Sequence, residues 1–324
     1  MNVSTSRDRL WRKRLNELSA VWPEFVHGRT AGLHKTRVAS RRIREALPIV
    51  AVAAAPEKVK KLNRKMRALT RALGPIRELD VELDLLEERG IPEGISARSV
   101  EIVRREVAAR RQALRQELKE DAPITDLKRL LKKLERIAGS KVKGDKADRR
   151  KRKAIDKLEA EWRARLAARL VRRAKRLDVA LEAAGPVYIP EKLHDVRISA
   201  KKLRYAMEIG RDARVPGTLP LLRILKRHQE RLGHLHDLQV LLKRVRSTDA
   251  SSTSGTSLND LTAYADSLDR ECHRLHADFV QHRGELTTVV KSVRQQIVPA
   301  LTISPRRQAR VARADRPLAD SRVK

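Results

Sequence analysis

Leu33-His34-Lys35-Thr36-Arg37-Val38-Ala39-Ser40-Arg41-Arg42-Ile43-Arg44-Glu45-Ala46-Leu47 returns 160 residues later as Leu193-His194-Asp195-Val196-Arg197-Ile198-Ser199-Ala200-Lys201-Lys202-Leu203-Arg204-Tyr205-Ala206-Met207. Downstream in each copy, Leu73-Gly74-Pro75-Ile76-Arg77-Glu78-Leu79-Asp80-Val81 is answered by Leu232-Gly233-His234-Leu235-His236-Asp237-Leu238-Gln239-Val240, at an offset of 159. Two ordered matches at nearly one spacing read as an internal duplication. Each half is therefore expected to build the same unit: an LHxxR helix, then an LG segment. Gly74 and Gly233 are read as a tight turn or a close helix approach.

The period of the apolar residues sets the class. Val59, Leu62, Met66, Leu69 and Leu73 recur at three- and four-residue steps, as do Leu127, Leu130, Leu131, Leu134 and Ile137. That spacing lines one face of a helix. Alternating strand patterns are absent. Proline, glycine and serine clusters punctuate the chain into about ten helices in two groups. The expectation is an all-α fold of two helical bundles: residues 1–140 and 154–300, joined by a basic linker at 141–153 and followed by a basic tail at 301–324.

Charge narrows the partners. Lys and Arg number 74 against 41 Asp and Glu, a surplus of 74 − 41 = +33. Such a surplus repels itself in the compact state and attracts polyanions. At 41% apolar residues the chain still has enough to bury cores, which argues against disorder. A lone Cys272 excludes a disulfide framework and a cysteine-based zinc cluster. No apolar run nears the ~18 residues of a membrane span, and no apolar stretch near the N-terminus reads as a secretory signal. The expectation is a soluble, cytoplasmic, strongly basic protein.

The repeated helix carries the clearest site. At 100° per residue, His34, Arg37, Arg41 and Arg44 fall within an arc of roughly 80°. Leu33, Ile43 and Leu47 occupy the neighbouring face. The second copy repeats the stripe with His194, Arg197, Lys201 and Arg204, while Arg42 and Lys202 point elsewhere. Exposed helices normally mix charges at i and i+4, yet Lys35–Arg44 holds five basic residues and no acid. Val196–Arg204 holds four and no acid. Stacked like charges destabilise a helix unless an anion offsets them, so both stripes read as ligand-facing. Arg64 and Arg67 precede the first LG, and Arg223 and Lys226 the second. Arg77 and His236 follow the glycines at equivalent places, and Glu78, Asp80 and Asp237 read as orienting partners for arginines.

These strings resemble the CHAD family, named for a histidine-bearing α-helical domain. The LHxxRVxxRRxR run, Arg204-Tyr205 and the LGxxREL and LGxLHDL segments carry the resemblance, which spans about Ser6 to Val298. It implies two four-helix bundles related by pseudo-twofold symmetry, with basic residues lining a central groove or pore. It also implies binding of inorganic polyphosphate and association with polyphosphate granules. By position, the implied ligands are His34, Arg37, Arg41, Arg44, His194, Arg197, Lys201 and Arg204. Two positions differ between the halves: His236 stands opposite Arg77, and Gln239 opposite Asp80, so the halves need not bind equally.

Physical chemistry agrees with that resemblance. Polyphosphate offers about one negative charge per unit and no base edges, so its site needs guanidinium forks and ammonium points. Single-stranded nucleic acid binders add aromatic platforms, and this chain has three Trp, three Tyr and two Phe in 324 residues. Non-specific nucleic-acid binding through phosphate contacts is the alternative. No P-loop, GxSxG or HExxH string supports catalysis, and the nearest approach to ExExK, Glu159-Ala160-Glu161-Trp162-Arg163, lies in a helical stretch and ends in Arg. Neither a cofactor nor a metal is expected: His273 and His276 share a helix face, but two imidazoles fall short of a zinc shell.

Overall fold

Thr5 opens the first helix by accepting a hydrogen bond from the Asp8 amide at 3.1 Å, the reciprocal of an orphaned first-turn donor. The computed structural model of the protein describes residues 5–120, 127–138, 149–248 and 255–302. Among them no strand occurs, and the class is all-α as expected. The helices are α1 (Ser6–Val26), α2 (Thr30–Val50), α3 (Pro56–Ala72), α4 (Gly74–Arg89), α5 (Ala97–Glu120) and α6 (Leu127–Ala138). They continue as α7 (Arg149–Ala184), α8 (Pro190–Asp212), α9 (Thr218–Ser247), α10 (Gly255–Ser292) and α11 (Val298–Thr302), a π-turn at Val293–Ile297 joining the last two. No helix among the described residues is long and apolar enough to cross a membrane.

The punctuation is partly as read. Pro56 and Pro190 occupy first-turn positions, where the missing N–H costs nothing. Gly217 precedes α9 in the left-handed region at φ 74°. Pro23 and Pro48 sit within the last turns of α1 and α2. Gly233 is a correction. It lies inside the uninterrupted α9, and a Cβ there would meet nothing within 4 Å, so it marks neither a turn nor a close approach. Of the basic linker, residues 141–148 lie outside the described residues, and 149–153 form the first turns of α7. The tail from 303 onward also lies outside them.

Buried apolar residues gather in two clusters, and neither belongs to one sequence half. The larger joins Leu33, Ile43 and Leu47 of α2 to Leu193, Val196 and Leu203 of α8. The smaller joins Leu79 and Leu85 of α4 and Val103 of α5 to Leu238 and Leu241 of α9 and Leu268 of α10. The 140/154 division is therefore not a division of the core. The reason is length: α9 has 30 residues and α10 has 38, about 45 and 57 Å at 1.5 Å per residue, so each runs through both clusters. The duplication itself rests on the sequence match. Its two motif helices, α2 and α8, pack against each other, and α4 packs against α9.

Candidate anion-binding site

Packing aims the stripes. On α2, Leu33, Ile43, Ala46 and Leu47 are buried, leaving Arg37, Arg41 and Arg44 half-buried and His34 exposed on the adjoining edge. On α8, Leu193, Val196, Ala200 and Leu203 play the same part beside half-buried His194, Arg197 and Arg204. Lys201 goes deeper, with only 8% of its surface exposed.

The two stripes converge. Burial pushes the Lys201 amine down from 10.5 to about 6, aided by Arg197 on its own helix and by Arg41 and Arg37 of α2, with Asp237 opposing weakly. Arg37 falls to about 10, through burial and the charges of Arg41, Arg77 and Arg197, with Glu78 opposing. Arg197 is lowered by burial and by Arg41, against the opposing charges of Asp237 and Glu78. Guanidiniums from both sequence halves thus share one electrostatic neighbourhood. Among the described residues, no carboxylate lies within 4 Å of the Arg41, Arg44 or Lys201 side chain. The Nε atoms of Arg44 and Arg197 are buried with no hydrogen-bond partner. These two donors lie in the positive cluster, while others of the same kind, the Nε atoms of Arg14, Arg89, Arg115 and Arg163, lie elsewhere in the fold.

The LG segments frame it unequally. Gly74 starts α4, and a Cβ there would meet Arg37 Nη1 at 3.1 Å. The missing side chain lets that guanidinium reach the Leu73 carbonyl, to which Nη1 donates at 3.1 Å. Opposite, His194 and His236 face each other with Nδ1 atoms 3.4 Å apart and ring centroids 4.7 Å apart. Burial with Arg197, His194 and Lys201 drives His236 down to about 4. His34 and His194 are also lowered, by desolvation and then by Arg77 or Arg197. All three imidazoles are therefore neutral at pH 7, below the unperturbed range their sequence context alone would give. Asp80, fully buried, takes Arg111 Nε of α5 at 2.5 Å, whereas Gln239 at the matching place donates to the Tyr188 hydroxyl at 3.0 Å. The charge at each position fits its partner, which accounts for that difference between the halves.

Not every expected residue joins the cluster. Arg67 and Arg71 of α3 depress Arg44 and extend the positive field, but Arg64 is simply exposed. Arg223 and Lys226 are exposed on α9, and Lys226 faces Glu230 at 3.5 Å. Arg77 joins the cluster while also reaching Asp84 at 3.3 Å. Arg204 is already engaged: Nε donates to Gln229 at 2.5 Å, Nη1 contacts Glu208, and the guanidinium lies 4.8 Å over the Tyr205 ring.

The sequence reading missed two acids that hold the site together. Glu208 of α8, 3% exposed, accepts from Arg204 and from Arg42 at 3.0 Å, with Arg14 at 4.0 Å. Glu45 of α2 takes Arg169 and Arg173 of α7, each at 2.7 Å. Burial opposes the Glu45 charge, but those two guanidiniums hold its carboxyl below the usual range. Arg42, set aside as pointing away from the stripe, points into this clamp. The i, i+4 spacing of Arg204 and Glu208 was the available signal.

The CHAD domain profile matches residues 9–246, over half the chain. The chain belongs to the CHAD family. Among solved structures, the CHAD domain crystal structure from the plant Ricinus communis resembles it with a TM-score of 0.52 at 19% identity. That likeness covers 91% of this chain and 92% of the other, and it bears on the fold. No curated protein matches the chain. A CHAD domain is a binding module, and this one presents guanidiniums, a buried amine and neutral imidazoles converging on one region. Among the described residues, no group of three His, Cys, Asp or Glu is placed to hold a metal. The chemistry on offer is anion capture by charge and hydrogen-bond donation.

Proposed function

We propose that this CHAD protein binds inorganic polyphosphate without catalysis, along the facing stripes of α2 and α8. The observation that carries the reading is the cluster of Arg37, Arg41, Arg197 and Lys201, drawn from both halves, whose four cations outnumber the two acids beside them: Asp237, 3.8 Å from Arg197, and Glu78. A linear polyanion supplies many charges without any demand for base stacking, and it satisfies the orphaned Arg44 and Arg197 donors. Of the expected ligands, His34, Arg37, Arg41, Arg44, His194, Arg197, Lys201 and His236 form the inner set, with Arg67 and Arg77 at its edges. Arg64, Arg223 and Lys226 add long-range field. The expected place of work is the cytoplasm, at polyphosphate granules.

The alternative is non-specific nucleic-acid binding. Competition decides between them: labelled double-stranded DNA and long-chain polyphosphate, matched in phosphate concentration, are titrated against each other at moderate salt. Polyphosphate is expected to displace DNA at concentrations where DNA does not displace polyphosphate. The reverse order overturns the proposal.

A further inference from the structure

Helix α3 carries a ladder of cations that runs beyond the central cluster. Pro56–Ala72 holds seven basic residues and one acid, Glu57. At 100° per residue, Lys60, Arg64, Arg67 and Arg71 fall within an arc of about 60° and extend over about 16 Å of helix. All four are exposed, opposite the buried Leu62, Met66 and Leu69. Among the described residues, none of the four is held in an ion pair or a side-chain hydrogen bond. Like charges at i and i+4 destabilise a helix, so this face too stays basic without internal compensation.

The ladder starts against the α2 stripe and outlasts it. Arg37 Nη1 donates to the Leu73 carbonyl, just past the end of α3, at 3.1 Å, and the Ser40 and Thr70 hydroxyls lie 3.0 Å apart. Those contacts pair position 37 with 73 and 40 with 70. The two helices therefore run antiparallel, and Arg44 lies level with Met66. Arg67 and Arg71, on either side of that level, both act on Arg44. Beyond Arg44 the α2 stripe stops, since Leu47, Ile49 and Val50 are buried. Helix α3 goes on through Arg64 to Lys60, about 9 Å past that level. The second half has no such extension. At the 159-residue offset, Lys60, Arg64, Arg67 and Arg71 correspond to Leu219, Arg223, Lys226 and Glu230 of α9. Leu219 ends that row without charge, and Glu230 answers Lys226 at 3.5 Å.

We propose that the outer face of α3 is a contact track for polyphosphate already held in the central cluster, so that the polymer leaves the cluster along α3 and not along α9. This rests on the polyphosphate reading above. Arg64, a source of field for a short oligomer, becomes a direct contact of a long one. Contacts made on a chain already held are intramolecular, so each adds affinity without a second loss of translational freedom. The protein therefore prefers long chains, and the preference resides in one half. The face suits a flexible polyanion better than a lipid surface. The exposed neighbours of the ladder are Lys61, Lys65 and Ala68, with none of the Trp, Phe or Leu that a membrane-lying helix presents.

The test compares wild type with two variants that lose the same two charges: Lys60→Gln/Arg64→Gln on α3 and Arg223→Gln/Lys226→Gln on α9. Tripolyphosphate and long-chain polyphosphate are titrated into each at two salt concentrations, with circular dichroism to verify helicity. The quantity read is the ratio of long-chain to tripolyphosphate affinity. The α3 pair is expected to cut that ratio at least about tenfold and to lower the long-chain salt slope by about one to two, the contacts removed. The α9 pair is expected to lower both affinities together through its lost field, leaving the ratio within about threefold of wild type. Equal ratios in the two variants, or a wild-type ratio in the α3 variant, overturn the proposal and leave the central site standing. An α3 pair that weakens binding to phosphatidylserine vesicles while the ratio stays intact assigns the face to lipid and overturns it as well. Wild type that binds neither phosphate ligand overturns the proposal together with the reading it rests on.

Discussion

Arg42 of α2 donates through Nε to the Glu208 carboxylate of α8 at 3.0 Å, across 166 residues of sequence. Arg14 of α1 lies 4.0 Å from the same carboxylate, and Arg204 contacts it from the next turn of α8. One nearly buried acid thus fixes the two motif helices against each other, behind the face on which their cations converge. Burial weighs against the Arg42 charge, but Glu208 outweighs it and raises Arg42 overall.

Removing that acid is therefore expected to damage the fold before the ligand. Glu208→Ala leaves Arg14, Arg42 and Arg204 with an uncompensated charge between packed helices. Breaking a buried pair from one side typically costs about 3–5 kcal/mol. Denaturant unfolding is expected to show a loss of that order. A midpoint within about 0.5 kcal/mol of wild type would mean the clamp is solvated.

Lys201→Met is expected to do the opposite. The wild-type amine is lowered from 10.5 to about 6 on folding, so between those values the unfolded chain holds a proton that the folded chain has shed. Wild-type stability therefore rises with pH across that window, and the cationic form is the one the fold disfavours. Replacing the amine by a thioether of similar length removes the penalty. The melting temperature is expected to rise by a few degrees, about 2–4 °C per kcal/mol for a chain of this size, with a flatter pH dependence. Polyphosphate affinity is expected to fall in the same variant. Lower stability with unchanged pH dependence would contradict the assignment.

Gly74→Ala probes the approach of Arg37. The added Cβ would sit 3.1 Å from Nη1, the far end of a flexible side chain, so the guanidinium moves aside and gives up the Leu73 carbonyl. Alanine is a better helix residue than glycine by up to ~1 kcal/mol, which offsets the lost hydrogen bond. Stability is expected to change little while polyphosphate binding weakens several-fold. A large loss of stability would mean that Gly74 is needed by the backbone.

Binding is expected to take up protons. A polyanion beside Lys201, His194 and His236 favours their charged forms, so each pKa is higher in the complex than in the free protein. Affinity therefore rises as pH falls from 8 toward 6, mainly through Lys201, with the histidines contributing at lower pH because they start lowered. Calorimetric titrations at pH 7 in buffers of different ionisation enthalpy are expected to show buffer-dependent heats corresponding to net uptake. Heats independent of buffer would remove Lys201 from the site.

Much of this molecule is legible in its sequence, for identifiable reasons. Helical class follows from the 3.6-residue apolar period, and the convergent cations follow from two acid-free stripes, because like charges are kept together only where something answers them. What stayed hidden depends on contacts between distant segments. Nothing local marks Glu45 as the partner of Arg169 and Arg173, or Glu208 as the partner of Arg42, since the pairs form only after α2, α7 and α8 pack. Gly233 looked like Gly74 because their local strings match. Only the structure shows the helix running straight through the second glycine and breaking at the first. The depth of Lys201 is hidden for the same reason: helical phase puts it on the stripe and Lys202 off it, but only packing shows how little of Lys201 is exposed.

The central claim is that Arg37 and Arg197, from opposite halves, meet one polyanion. Its most direct measurement is a polyphosphate titration at two salt concentrations, comparing wild type with Arg37→Glu/Arg197→Glu and using circular dichroism to verify helicity. Each phosphate contact releases condensed counterions, so affinity depends steeply on salt and the slope counts contacts. The account predicts a folded double variant with affinity reduced by at least about two orders of magnitude and a shallower salt slope. A folded double variant that binds as tightly as wild type, with the same slope, would contradict it.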